Sequence, residues 1–258
     1  MAVGVGKHMR KTILLLIFAI VSNLILGQNF EYQSDFKKLV EQSKDSLSQN
    51  YYEKLRAEFV KNGENFTKDK VISLMAGQTA SKYYDAYGMI KTERAYQVAD
   101  KYSSDTIHKY VHRLLEIHPV NLSLNYGLWK TYEKDGETEN AEKYKNRFNL
   151  ICESILTTGD GTNEKPYFVI SPIDGQVLIR LYFKKEIGMM GSGNDPNGNF
   201  VDILEIVDEK ESKSLNFVID HAMGLFRQQM KEVDEKDIED KYEIDENGKV
   251  ILKRKKGN

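Results

Sequence analysis

The sequence predicts an α+β fold, with a helical first half followed by a small α+β region that has a mostly antiparallel sheet. All four prolines of the 258-residue chain lie at or beyond Pro119, so no proline interrupts a helix before that point. Apolar residues recur there at the three-to-four spacing of an amphipathic helix, as Leu55 and Phe59 do. Short β-favouring runs, such as residues 167–170 and 200–207, follow in the second half. The change of pattern separates two regions of different structure.

The first 27 residues have the composition of a secretory signal peptide. They contain no acidic residue, and a basic segment precedes the apolar run at residues 13–21. Gly27 fits the small residue before a cleavage site, which predicts a mature N-terminus at Gln28. Apolar character extends over about 14 residues, fewer than the roughly 20 that cross a membrane as a helix. We therefore expect an exported protein, periplasmic or secreted, without a permanent membrane span. An uncleaved anchor is the alternative, and Met9 is an alternative start.

Composition excludes several classes of protein. The chain has 37 basic and 39 acidic residues, and removal of the leader's three basic residues makes the mature chain mildly acidic. A protein that binds nucleic acid normally carries a basic excess, so we expect no nucleic-acid partner. Cys152 is the only cysteine. A single cysteine excludes a disulfide scaffold and a multi-cysteine zinc site. Its position, far from the end of the leader, excludes a lipid anchor.

One stretch of the helical region has the spacing of a tetratricopeptide repeat. A proline ends one repeat, and then a leucine, a tyrosine, a turn glycine and a small alanine follow at the offsets of that repeat: Pro119, Leu128, Tyr132, Gly136 and Ala141. We expect the leucine and the tyrosine to pack between two antiparallel helices joined at the glycine. One degenerate repeat precedes it at residues 88–120, whereas a binding groove normally needs about three stacked repeats. A helical hairpin used for packing is the first interpretation, and a peptide-binding groove is the second.

A Gly-Asp-Gly segment marks the junction between the two halves: Gly159, Asp160, Gly161 and Thr162. We expect Gly159 to end the preceding helix in a left-handed conformation and Asp160-Gly161 to form a turn.

Three regions follow the leader: a helical region at residues 30–158, an α+β region at 159–229 and a charged C-terminal extension with a candidate hairpin at 230–258. Asp174 is a candidate helix cap, but residues 173–186 fit either a helix or a strand.

Residues 191–199 are rich in glycine and asparagine and predict a polar loop.

The junction also carries a family resemblance. Residues 153–162, which end in Gly-Asp-Gly-Thr, and the Phe-Val-Ile-Ser run at 168–171 resemble the signature of the domain of unknown function 4919 family. A looser similarity extends over residues 33–222. The resemblance implies a secreted protein of Gram-negative bacteria and supplies no reaction and no site residues.

No set of residues has the spacing of a known catalytic or metal site. His108 and His112 lie four apart, which can place two imidazoles on one metal, but the glutamate that metallopeptidases carry directly after the first histidine is missing. Asp195, Asn197 and Asn199 alternate like calcium ligands, but the glycine and glutamate of an EF-hand loop are absent from the sixth and twelfth positions. We expect no catalytic residues, no cofactor and no bound metal.

Two functions remain as hypotheses. The first is a non-enzymatic envelope protein that binds a protein partner, which the export signal and the repeat-like helices favour. The alternative is an exported hydrolase whose site lies at the junction of the two halves, because such interfaces favour pockets. Its lining would be Asp160, Thr162, Glu164 and Asp202. A junction filled by side chains favours the first hypothesis, and a deep pocket with convergent carboxylates favours the second.

Overall fold

The computed structural model describes residues 30–96, 104–207, 212–232, 242–244 and 250–252. The predicted leader, residues 1–27, and the basic end of the chain lie outside the described residues. Within the described part, helices fill the first half and a four-stranded sheet with further helices forms the second. The α+β class is confirmed. None of the described helices has the length and apolar character needed to span a membrane.

The first half is a succession of helices joined by short connections. A π-helical turn at Tyr32–Phe36 leads into the first of them, and a 3-10 turn at Gly63–Asn65 follows the second. The helices are α1 (Lys37–Lys44), α2 (Tyr52–Asn62), α3 (Lys68–Thr79), α4 (Ile90–Tyr96), α5 (Ser104–Ile117), α6 (Leu122–Asp135) and α7 (Thr138–Leu156). Thr67 caps α3 by accepting a hydrogen bond from the Lys70 backbone N–H, and Asn121 caps α6 in the same way.

Helices α6 and α7 form the hairpin that the repeat spacing predicts. Gly136 takes a left-handed φ of 76° and ends α6. Leu128, Tyr132 and Ala141 are buried together with side chains of α5 in a small apolar cluster. Pro119 is buried in the connection between α5 and α6. The packing agrees with the spacing, while a relation to tetratricopeptide proteins stays a prediction.

The sheet is mixed. Its strands are β1 (Tyr167–Phe168), β2 (Glu186–Asn194), β3 (Phe200–Val207) and β4 (Lys213–Val218), in the order β1-β4-β3-β2. The pairs β2–β3 and β3–β4 are antiparallel, whereas β1 runs parallel to β4 with Tyr167 opposite Phe217. Two of the three strand pairs are antiparallel, which confirms a mostly antiparallel sheet, and the short parallel strand makes the sheet mixed.

The structure decides the segment that the sequence left open between helix and strand. It forms α8 (Asp174–Val177) and a π-helical turn (Leu178–Tyr182). Val177, Leu178 and Ile179 are all fully buried. Consecutive side chains of a helix point in different directions. The burial of all three therefore shows that other parts of the protein cover this segment on several sides.

The loop predicted at residues 191–199 is wrong in its first half. Gly191 and Gly193 belong to β2, where they lie opposite Ile203 and Val201 of β3. The turn is shorter and is closed by Asp195, whose carboxylate accepts hydrogen bonds from the backbone of Asn197 and Asn199. These oxygens complete the turn, as Asx turns do.

One apolar core joins the helical half to the sheet. Buried side chains of α2, α3 and α7 pack in the same cluster as Phe168 and the inner faces of β3 and β4. After β4 the chain continues as α9 (Asp220–Glu232), and two short strands, β5 (Tyr242–Ile244) and β6 (Val250–Leu252), pair antiparallel. The continuous core fixes the helices and the sheet as neighbours.

Candidate functional site

The Gly-Asp-Gly segment forms a closed turn. Asp160 Oδ1 accepts hydrogen bonds from the Thr162 hydroxyl at 2.7 Å and from the Thr162 backbone N–H at 2.9 Å. These bonds, the hydroxyl first, hold the pKa of Asp160 below its usual range. The Lys165 carbonyl accepts from the backbone N–H groups of Asp160 and Gly161. The carboxylate therefore stabilises the turn.

The predicted conformation of Gly159 is wrong. Helix α7 ends at Leu156, and Gly161, with a φ of 77°, is the left-handed residue of the segment. Position 159 has no room for a side chain, because a Cβ there would lie 2.4 Å from the Lys165 carbonyl oxygen. Steric contact therefore explains the glycine at this position. At Gly161 a Cβ would meet Tyr167 and Leu215. The turn therefore packs without space for a side chain at either glycine, and Gly161 lies directly against side chains of β1 and β4.

The four residues of the hydrolase hypothesis do not converge. Asp160, Thr162 and Glu164 are exposed. Asp202 lies on β3 opposite Phe217, and burial raises its pKa to about 6. The charge of Asp160 raises the pKa of Tyr167, and the charge of Asp202 raises the pKa of Tyr87.

Two shallow depressions in the described surface lie away from this junction. One, of about 150 Å³, is lined by residues of α6 and α7 including Trp129 and Lys145. The other, of about 90 Å³, lies between α2, α5 and α7. None of the four proposed hydrolase residues lines either depression.

A buried acidic network is the main polar feature beside the junction. Glu93 of α4 is 1% exposed; its Oε1 accepts from the Asn121 amide at 2.6 Å and its Oε2 from the Ser171 hydroxyl at 2.8 Å. Asp174, 2% exposed, accepts from the backbone N–H groups of Ile170 and Ser171. Ser171 thus contacts both carboxyl groups. We call Glu93, Asn121, Ser171 and Asp174 the acidic network.

Burial dominates the electrostatics of the acidic network. It raises the pKa of Glu93 to about 7, against the opposing effect of the hydrogen bonds from Ser171 and Asn121. It also raises the pKa of Asp174 well above its usual range, and the charge of Glu93 adds to this. Two carboxyl groups in such surroundings do not both ionise readily near neutral pH. Because both carboxyl groups are buried and have raised pKa values, their ionisation is coupled to the stability of the fold.

A second buried polar contact fixes the start of the described chain. The Tyr32 hydroxyl lies 3.0 Å from His221 Nδ1 and accepts from the His221 backbone N–H at 3.2 Å. A hydroxyl oxygen can accept two hydrogen bonds and donate one, so the tautomer of the imidazole determines whether Tyr32 donates to Nδ1 or accepts from Nδ1–H. His221 Nε2 is buried and has no hydrogen-bond partner among the described residues, and burial lowers the His221 pKa to about 3. The imidazole is neutral in the folded protein.

The two histidines of α5 bind different groups. His108 Nε2 lies 3.0 Å from Asp135 Oδ2, whereas His112 Nε2 lies 2.7 Å from the Tyr132 hydroxyl. The two imidazoles therefore make separate contacts, one with a carboxylate and one with a phenol.

Sequence reasoning missed the acidic network. Glu93 stands between Thr92 and Arg94 and carries no pattern that predicts burial. Asp174 is noticed only as a candidate cap, and its carboxylate binds the backbone that precedes α8 instead of capping the helix. Ser171 is the one residue of the acidic network that a sequence pattern points to, because it is the last residue of the Phe-Val-Ile-Ser run in the family signature.

Fold and site together define an α+β protein. Its helices and its sheet share one apolar core, and the acidic network lies beside the junction between them. The family model for a domain of unknown function, DUF4919, matches residues 37–226. The match covers most of the chain, so the protein belongs to the DUF4919 family, which confirms the resemblance seen in the junction signature. No curated protein and no solved structure matches the chain.

Replacing Gly159 tests the close backbone packing of the junction. Gly159→Ala places a methyl group against the Lys165 carbonyl, and we expect a loss of about 1–3 kcal/mol in the free energy of unfolding. Gly191→Ala is the matched control, because nothing lies within 4 Å of a Cβ there. Urea denaturation measures both variants. Equal stability of the two would contradict the close approach at Gly159.

Replacing Glu93 tests the acidic network. Its folded pKa of about 7 exceeds the ordinary 4.5, so its contribution to stability is complete below about pH 4.5 and is lost as the pH rises through about 7. In Glu93→Gln the amide oxygen can accept from Asn121 and the amide N–H can donate to Ser171. We expect this variant to exceed the wild type by about 1–3 kcal/mol at about pH 8 and to lose that advantage near pH 4.5.

Urea denaturation over a series of pH values measures the effect of Glu93→Gln. Asp174 keeps its own raised pKa, so the slope of stability against pH decreases without vanishing. Glu41→Gln, an exposed substitution on α1, is the control and should follow the wild type. A Glu93→Gln slope equal to that of the wild type would show that Glu93 titrates normally.

Proposed function

We propose that this protein is an exported, non-enzymatic envelope protein that binds an extended segment of a protein partner at the free edge of β2. The observation that carries the proposal is the edge itself. Strand β2 pairs with β3 on one side, and no described strand covers its other side. Alternate backbone N–H and C=O groups of an antiparallel edge strand point away from its neighbour and can pair with an added strand.

The composition of β2 favours pairing. Residues 187–194 contain neither a charged residue nor a proline, which are the usual devices that protect an edge strand from pairing. Met189 is 78% exposed and Met190 is 59% exposed. Methionine side chains adapt to irregular apolar surfaces, as those of promiscuous binding proteins do. A partner segment with apolar side chains fits this surface.

A bulge limits the open part of the edge. The register of β2 against β3 shifts between Ile187 and Met190, and Glu205 accepts a hydrogen bond from the Met189 backbone N–H at 2.8 Å. The regular pairing resumes at residues 190–194. Five residues of open strand match a short extended peptide.

The proposal of export depends on the predicted leader at residues 1–27. The packing of the described residues is compatible with removal of that leader. A chain that begins at Gln28 retains Phe30, whose ring stacks on Phe168 at 5.6 Å. The close packing at Gly159 and Gly161 and the turn role of Asp160 give the hydrolase alternative no support.

Peptide binding tests the β2 edge. A peptide selected from a displayed library of extended sequences should bind the full chain, and the double variant Met189→Lys with Met190→Lys should weaken the affinity about tenfold or more. Leu47→Lys is the matched control, because Leu47 is an exposed apolar residue, 93% accessible, in the turn after α1. Methylation of alternate backbone amides of the peptide should abolish binding, because it removes the main-chain donors.

Three results would contradict strand addition. They are the absence of saturable peptide binding, equal affinity of the methionine and Leu47 variants, and full binding of the methylated peptide. Dimerisation that the methionine double variant abolishes would assign the edge to a second copy of the chain.

Processing of the leader has its own test. We expect the protein recovered from an envelope or culture fraction of a Gram-negative host to begin at Gln28, as measured by intact mass and N-terminal sequencing. Gly27→Leu places a large side chain before the cleavage site and should leave the leader attached. Recovery of the uncleaved chain from the wild type would support the anchor alternative.

A further inference from the structure

Three side chains with metal-binding atoms meet on the helical hairpin. His108 lies on α5, Asp135 is the last residue of α6, and Glu137 directly precedes α7. One ligand atom from each lies within 4.8 Å of the others. The left-handed Gly136 separates the two acidic residues and forms the turn that places their carboxylates beside the imidazole. We call these three residues the hairpin triad.

We propose that the hairpin triad binds a divalent cation of the Zn²⁺ type, with water as the remaining ligand. An imidazole nitrogen with carboxylate oxygens is a common zinc donor set, and three protein ligands leave one tetrahedral position open. The two carboxylates neutralise the charge of the cation. The carbonyl end of α6, where Asp135 lies, also favours positive charge.

The atoms around the triad orient its ligands. The Ser104 hydroxyl donates to Asp135 Oδ1 at 2.6 Å, and the Asn140 amide donates to Glu137 Oε2 at 2.7 Å. Asp135 Oδ2 and Glu137 Oε1 are thus the oxygens left for the cation. The ring of His108 packs on Tyr132 with centroids 4.3 Å apart. Hydrogen bonds to the far oxygens and a packed imidazole are the supports that metal ligands usually have.

The proton balance of binding is simple. His108 Nε2 faces Asp135 Oδ2 at hydrogen-bond distance, so it carries a proton in the metal-free protein. Coordination requires the Nε2 lone pair, and the proton moves to Nδ1 of a neutral ring or leaves an imidazolium for solvent. His112 takes no part, because its ring nitrogens face the hydroxyl groups of Tyr132 and Tyr144.

This site differs from the histidine pair considered from the sequence. Its ligands come from three elements and include only one of the two histidines. A bound cation would connect α5 to the α6–α7 turn, and the proposal is independent of the β2 edge.

Calorimetric titration of the tag-free full chain with ZnCl₂ tests the triad. We expect one saturable site and a rise in thermal midpoint on addition of the metal. His108→Ala and Glu137→Gln should each weaken binding about tenfold or more. Glu139→Gln, an exposed acid in the first turn of α7, and His112→Gln are the matched controls and should bind as the wild type does.

Glu137 is exposed, so its variant should fold even if His108→Ala loses packing on Tyr132; circular dichroism checks both. Absence of a saturable site would overturn the proposal. So would unchanged affinity in Glu137→Gln, which would indicate scattered surface carboxylates, or a loss in His112→Gln equal to that in His108→Ala.

Discussion

Two carboxyl groups buried beside one serine cross-link the helices to the chain that follows β1, next to the apolar core. Glu93 ties α4 to the cap of α6 and to Ser171, and Asp174 ties the chain after β1 to the start of α8. The Tyr84 hydroxyl adds a bond of 2.6 Å to the Ile170 carbonyl. No basic side chain of the described residues forms an ion pair with either acid. A buried network with its partners in place is rigid, whereas loss of one partner leaves an uncompensated polar group.

The junction is closely packed where the Gly-Asp-Gly turn meets the sheet. Gly159 lies against the Lys165 and Pro166 carbonyls and Gly161 against Tyr167 and Leu215, so neither position has room for a side chain. The exposed features of the described residues lie at the periphery: the β2 edge on the sheet and the hairpin triad on the helices.

The two ends of the described core are also joined. Tyr32 bonds to His221, and Phe30 and Phe36 pack on Phe168, so the first described residues lie against the start of α9. Because the partners are 189 residues apart, this contact forms only in the folded chain. A neutral, buried His221 fits such a place, since a charged imidazole there would be desolvated.

Local patterns in the sequence determined the helices, the Gly136 turn, the β3 and β4 strands and the family signature, because each depends on neighbours within a few residues. The tertiary structure alone decided that residues 174–182 are helical, that Gly161 is the left-handed glycine and that residues 191–194 extend β2. It alone placed Glu93 beside Ser171 and Glu137 beside His108. A side chain's burial and its long-range partners arise when distant segments pack, and no local spacing in one sequence encodes them.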